Sequence, residues 1–313
     1  MPSPAGTPFP RGRFVWHELV SSDPDRASGF YATVVGWKVQ SYEHDPSYRL
    51  WMTAGVPMGG LMRLPEAARR GGASSHWMPY IAVPDVDATV RQAGALGARV
   101  QVAPKDIPAG RFATLSDPQG ATFSVFRPAP GLPLGTDDPS LGEFSWHELA
   151  ALDWKAAWSF YRELFGWEHA LSMEMSPGGT YWMFQRGGGS RMFGGMYTKA
   201  ADRPGPAHWL CYAMVANADR AAQAATRAGG RVVAGPMDVP GGGRIAMCVD
   251  PQGGAFAVHA VAPKPAQRAA PARPKASQPA RKRKAAVKAR KVKARKAKPK
   301  RARRARAARR RSR

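Results

Sequence analysis

Cysteine is almost absent from this 313-residue sequence: the two present, Cys211 and Cys248, lie in apolar stretches of the second half. A disulfide framework is therefore not the organising device. Both thiols are expected as small buried core residues in a reduced compartment. No apolar run reaches the roughly 20 residues needed to span a bilayer. Residues 1–13 are Pro-rich without an apolar segment, which predicts no secretory signal and a cytoplasmic location. Acid is missing from one region altogether: residues 264–313 hold 24 Lys and Arg and no Asp or Glu. The whole-chain charge of +25 is thus a property of that segment. Taking its 24 from the total of 47 leaves 23 basic residues against 22 acidic ones in the remainder, close to neutral.

What the remainder does have is a phrase used twice. Residues 14–19 read F-V-W-H-E-L and residues 144–149 read F-S-W-H-E-L. Phe30-Tyr31 before Gly36-Trp37 is echoed by Phe160-Tyr161 before Gly166-Trp167, and His76-Trp77 by His208-Trp209. The stretch Ile107-Pro108-Ala109-Gly110-Arg111 returns with one extra glycine in residues 239–244, and Asp117-Pro118-Gln119-Gly120 returns as Asp250-Pro251-Gln252-Gly253. The spacing between copies drifts from 130 to 132 to 133, as a tandem duplication with small loop insertions produces.

Within each copy the pattern reads strand, helix, three strands, twice over. Alternating residues 14–21 predict a strand, Asp23-Pro24 opens a helix as N-cap and first turn, and Gly36 ends it. Gly59-Gly60 inside a strand suggests a bulge or a close backbone approach. Residues 65–75 read as a loop. The expected fold class is α+β. Two tandem modules, each of two β-α-β-β-β units, occupy 12–128 and 143–262, each large enough to bury its own core. A Pro/Gly linker at 129–142, a disordered N-terminus at 1–11 and a disordered basic tail at 263–313 complete the plan.

This order of motifs, spacing and duplication resembles the vicinal oxygen chelate superfamily, which includes glyoxalase I, bleomycin-resistance proteins and extradiol dioxygenases. The resemblance covers roughly residues 12–262. It implies that each pair of units forms an eight-stranded cup with helices outside. It also implies a divalent metal inside the cup, held by His, Gln or Glu, that chelates substrate oxygens as a Lewis acid. The positions matching those ligands carry Trp16, Met78 and Ser124 in the first module and Trp146, Leu210 and Ala257 in the second. Residues 58–63 and 192–197, where a further ligand should fall, contain no acid and no histidine. A one-residue register error would bring His17 or His147 to the first position without creating the others. No metal and no cofactor is therefore expected.

Strand alternation sorts the remaining candidates. With Trp16 facing the cup, Glu18 does too, joined by His76, Met78, Tyr80 and Ser124. Trp146, Glu148, His208, Leu210 and Tyr212 do the same in the second module. His17 and His147 then point away, toward the helices. A carboxylate and an imidazole could pair for acid–base work; alternatively Glu18 and Glu148 bind backbone groups or an Arg, with His76 and His208 at the rim. Aromatic walls with few polar groups suit a flat or amphipathic organic ligand.

The basic segment is Ala, Lys, Arg and Pro with no aromatic, Leu or Ile, so it cannot fold alone. Its runs resemble histone H1-like tails. The expected contacts are Arg281, Lys282, Arg283, Lys284, Lys288, Arg290, Lys291, Arg301, Arg303, Arg304, Arg309, Arg310 and Arg311, with DNA preferred to RNA as partner and nucleoid association as the consequence. No apolar anchor suggests a membrane. Three readings follow: a small-molecule-binding protein without the usual metal, tethered to nucleic acid; a glyoxalase-like lyase, hydroxylase or dioxygenase with a non-standard site; or a histone-like compacting protein with the modules as scaffold.

Overall fold

The computed structural model describes residues 9–175, 179–203 and 205–261. The nucleic-acid-binding candidates of the basic segment lie outside these residues. In the first half, β1 (Phe14–Ser21) leads to α1 (Pro24–Val34), β2 (Lys38–Tyr42), β3 (Asp45–Thr53) and β4 (Val56–Arg63). After α2 (Glu66–Arg70) come β5 (His76–Ala82), α3 (Val86–Ala95), β6 (Arg99–Ile107), β7 (Gly110–Ser116) and β8 (Thr122–Pro128). The second half runs β9 (Phe144–Ala151), α4 (Trp154–Phe165), β10 (Trp167–Met175), β11 (Gly179–Arg186) and β12 (Met192–Thr198). It ends with β13 (His208–Met214), α5 (Ala218–Arg227), β14 (Arg231–Val239), β15 (Gly243–Val249) and β16 (Ala255–Val261). Helix α2 falls where a loop was expected. Its single turn is held by a fork from Arg69 to the Glu66 carboxylate, at 2.9 and 2.8 Å, too local to show as periodicity.

The four longer helices start where short polar side chains can cap them. Asp23, Asp85, Asp153 and Asn217 each accept from a backbone N–H of the first turn. Each half forms its own eight-stranded sheet, in the order β2-β3-β4-β1-β5-β8-β7-β6 and β10-β11-β12-β9-β13-β16-β15-β14. The duplicated phrase is the centre of each sheet. β1 lies parallel to β4 and antiparallel to β5, and β9 takes the same place between β12 and β13.

The cores are not private to each copy, contrary to the expectation that each buries its own. One cluster joins Leu19, Tyr31, Trp37 and Trp51 to Ala213, α5 and Phe256; the other joins Ile81, Leu115 and Phe123 to Leu149, Tyr161 and Trp209. The repeated motifs are the fasteners. Tyr31 donates to Asp250 at 3.0 Å and Tyr161 donates to Asp117 at 2.9 Å, each across the boundary between copies. Each Asp also accepts from two backbone N–H groups, of the Gln in its own D-P-Q-G turn and of the residue just after the turn, Ala121 or Gly254. Behind each tyrosine stands an indole: Trp77 donates to Tyr31 and Trp209 to Tyr161. The Trp after each helix closes the remaining pair, Trp37 onto the Gly142 carbonyl and Trp167 onto that of Gly12. Removing one partner of such a buried bond costs about 1–3 kcal/mol.

Candidate functional site

Register sets what faces the concave side of each sheet. Trp16 pairs with Tyr80, Glu18 with Met78, and Tyr80 with Ser124 along the parallel β5–β8 ladder. Trp16, Met78, Tyr80, Phe112 and Phe126 pack as one group there, with Leu134 of the linker against it. In the second half Trp146, Leu210, Tyr212, Ile245 and Ala257 form the matching group.

Glu18 and Glu148 are the ionisable centres of these groups, only 5 % and 6 % exposed. Their partners are tyrosines. Tyr48 donates to Glu18 Oε2 at 2.8 Å and itself accepts from Trp16 Nε1 at 3.1 Å. Tyr181 donates to Glu148 Oε2 at 2.9 Å and accepts from Trp146 Nε1 at 2.8 Å. Tyr80 and Tyr212 also act on the same two carboxyls. Tyr48 and Tyr181 are functional candidates that alternation alone missed. Their signal is the glycine pair on the neighbouring strand, because a Cβ at Gly60 or Gly195 would overlap the Tyr48 or Tyr181 side chain.

Burial pushes both carboxyls toward the neutral form. Glu148 is raised to about 7, against the opposing pull of the Tyr181 and Tyr212 bonds. Glu18 is raised too, opposed by Tyr48, Tyr80 and the Lys105 ammonium. All four tyrosines are held well above 10 by burial and by the neighbouring carboxyl, so they are neutral donors. A protonated carboxyl ringed by phenols can donate to or accept from a ligand oxygen, and near neutrality it can move a proton.

Other candidates fall elsewhere. His76 sits opposite Val20 at the end of β5 with Nδ1 against the Ser74 carbonyl at 2.7 Å, and His208 is exposed at the matching end of β13. The carboxylate–imidazole pair considered from the sequence is therefore not what Glu18 and Glu148 make; tyrosine hydroxyls take that place. Neither glutamate binds an Arg among the described residues. Ser124 Oγ lies 2.9 Å from Thr114 Oγ1 and donates to Met78 Sδ at 3.5 Å. His17 and His147 point away from the cups and meet between the halves, Nε2 to Nε2 at 2.7 Å. The Phe193 carbonyl takes a hydrogen bond from His147 Nδ1, so in the neutral ring His147 Nε2 is the acceptor and His17 Nε2–H the donor. Phe144 stacks on His17 and Phe14 on His147. Burial holds both imidazoles below their usual range, His147 to about 3.

Among the described residues, one cluster of three potential metal ligands converges: His17, His147 and Cys211, within 4.8 Å of one another between the halves and in neither cup. Each cup offers one carboxyl with a raised pKa, neutral phenols and, at the positions that the resemblance assigns to metal ligands, Trp16, Met78 and Ser124 or Trp146, Leu210 and Ala257. That set fits a divalent ion poorly.

Comparison with known proteins sets this geometry in a family. A glyoxalase-like domain model matches residues 17–126, and the glyoxalase/bleomycin resistance protein/dioxygenase superfamily model matches residues 144–258. The chain is 32% identical over 268 residues to a Mycobacterium bovis protein provisionally named glyoxylase CFP32, covering 83% of this chain and 99% of that one. The chain belongs to this superfamily. Another relative, the anthracycline biosynthesis protein DauV of a Streptomyces, is 35% identical over 130 residues, 41% of this chain and 46% of DauV. The Mn(II)-bound glyoxalase from Novosphingobium aromaticivorans shares the superfamily fold with a TM-score of 0.54 at 18% identity, over 80% of this chain and 82% of that one. No helix among the described residues is long and apolar enough to cross a membrane.

Proposed function

We propose that the two cups bind a small, flat organic molecule with a polar end, without the divalent metal that the family's ligand positions would hold, and that the basic segment tethers the protein to nucleic acid. The observation that carries the first part is the Trp–Tyr–Glu–Tyr arrangement, built twice from the same positions. Its aromatic walls would take the ring of a ligand, and the carboxyl and phenols its oxygen or nitrogen functions. The named roles of CFP32 as a glyoxylase and of DauV in anthracycline biosynthesis are compatible with oxygenated small molecules in such a cup. Native mass spectrometry of the purified full chain tests this reading. An organic adduct that disappears in the Tyr48→Ala, Tyr181→Ala double variant supports it. About one tightly held Zn, Mn or Fe per cup overturns it.

A second reading, an enzyme using Glu148 as general acid or base, is favoured by that carboxyl's position near pH 7. Turnover of a captured ligand, lost in Glu148→Gln with binding retained, would establish it. For the tether, 24 positive charges with no Asp or Glu in residues 264–313 support sequence-independent phosphate contact. If about ten phosphates are neutralised, log affinity falls with log salt at a slope near −9. Binding that ignores salt would remove the tether from the proposal.

A further inference from the structure

Outside the cups, one cleft gathers positive charge over an aromatic floor. It opens where the start of β1, the linker and the β11–β12 loop meet, with a volume of about 310 Å³. Arg13, Arg186 and Arg191 line its walls, and Phe14, Phe193 and His147 its floor. His147 is on the interface side of β9, the side opposite Glu148, so this cleft is separate from the second cup.

The charges are incompletely answered from within. Asp137 is the one acid lining the cleft, and it serves two guanidiniums, Arg186 by a direct bond and Arg13 at 3.6 Å. Arg13 Nη2 donates to the Leu134 carbonyl at 2.9 Å, but its buried Nε has no hydrogen-bond partner. Arg191 Nη1 is buried and likewise unpartnered, with the exposed Asp138 carboxylate 3.6 Å away. Burial lowers the Arg13 pKa against the pull of Asp137, and the like charge of Arg186 adds to the lowering. Residues outside the described ones contribute no Asp or Glu side chain.

Below the guanidiniums the surface turns apolar. Phe14 lies flat on His147 at 3.7 Å, and Phe193 meets Phe14 edge-on at 5.7 Å. His147 is held neutral, so it adds no charge to the floor. The volume corresponds to about ten waters at liquid density, room for one ring and one charged group. Guanidinium forks favour carboxylate and phosphate oxygens.

We propose that this cleft is a binding site for a small organic anion, with a carboxylate or phosphate group on Arg13 and Arg191 and a flat apolar body over Phe14 and Phe193. Calorimetric titration of the full chain at fixed salt tests it with benzoate, phenyl phosphate and the neutral isostere benzamide. Saturable binding of one benzoate or phenyl phosphate per chain is expected, with benzamide silent. The tighter of the two anions identifies the preferred head group. Arg191→Gln should weaken that binding about tenfold or more, and Arg191→Lys by less, because it keeps the charge and loses the fork. Melting temperatures of both variants should match the parent, since Arg191 is on a partly exposed loop. The basic segment is present in every protein compared, so its own anion binding cancels. Equal affinity of parent and Arg191→Gln, binding only at many sites per chain, or equal binding of benzamide would overturn the proposal.

Discussion

The two cups share their centre and differ at their walls. Both hold a glutamate between two tyrosines, with an indole behind one of them. The first cup adds Lys105, whose ammonium favours the ionised form of Glu18, and a Ser124–Thr114–Met78 polar seam. The second has Ala257, Met247 and Leu210 at the seam positions and Met237 in place of Lys105. It gains Tyr197, which burial, with the Glu148 charge adding to it, pushes up to about 12. Duplication therefore kept the hydrogen-bonded centre and let the electrostatics around it diverge. Among the described residues no cation acts on Glu148, which is raised to about 7, whereas Lys105 acts on Glu18.

The largest effect should come from the axis both cups share. His17 and His147 are held neutral by burial, so below pH 6.5 the unfolded chain takes up protons that the folded rings refuse. Their contribution is full above 6.5 and is lost as pH falls toward the His147 value of about 3. At about 1.4 kcal/mol per pKa unit, the His147 shift alone corresponds to about 5 kcal/mol at the acid end. Thermal melts from pH 7 to 4 should show this loss. A His147→Phe variant with the same acid slope as the parent would contradict it.

Next, the cups can be broken one at a time. Gly60→Ala drives a methyl into Tyr48 and Gly195→Ala one into Tyr181, each expected to cost about 2–3 kcal/mol. Intrinsic fluorescence of Trp16 or Trp146 should respond in the affected cup alone, because each indole donates to the displaced tyrosine. Ligand capture that survives Gly60→Ala and fails in Gly195→Ala would show that only the second cup works.

Glu148→Gln should sharpen the difference in charge. With the folded pKa raised, Glu148 contributes stability below pH 4.5 and loses it as pH rises through about 7. The Gln variant should match the parent near pH 4.5 and exceed it by about 3 kcal/mol at pH 8, as denaturant melts would show. No gain at pH 8 would mean the carboxylate is compensated by something else. The smallest effect belongs to Lys105→Met, which makes the first cup resemble the second. Carbon-13 NMR should then show Glu18 titrating higher; a lower or unchanged value would remove Lys105 from the account.

Much of this was legible in the sequence. The doubled W-H-E-L phrase located the central strand of each sheet, and period-two alternation separated Glu18 from His17 onto opposite faces. The tyrosine partners were not legible because Tyr48 and Tyr181 lie two strands away, across β4 and β12, with no fixed sequence spacing to Glu18 and Glu148. Only Gly59-Gly60 hinted that something crossed close by. The shared cores were hidden for another reason. Both copies carry F-Y and D-P-Q-G, so the sequence does not say whether Tyr31 meets Asp117 or Asp250. The cleft of Arg13, Arg186 and Arg191 joins three segments unrelated by the repeat, and no pattern in any one of them marks it.

The crossed fastening of Tyr31 to Asp250 has a consequence for how the protein is made. The two residues are 219 positions apart. At roughly 5–20 residues per second, a ribosome delivers the aspartate about ten to forty seconds after the tyrosine. Until then α1 has no α5 to lie against, and its apolar stripe of Phe30, Tyr31 and Val34 faces water or whatever shelters nascent chains. The first copy completes its own sheet early and its own core last.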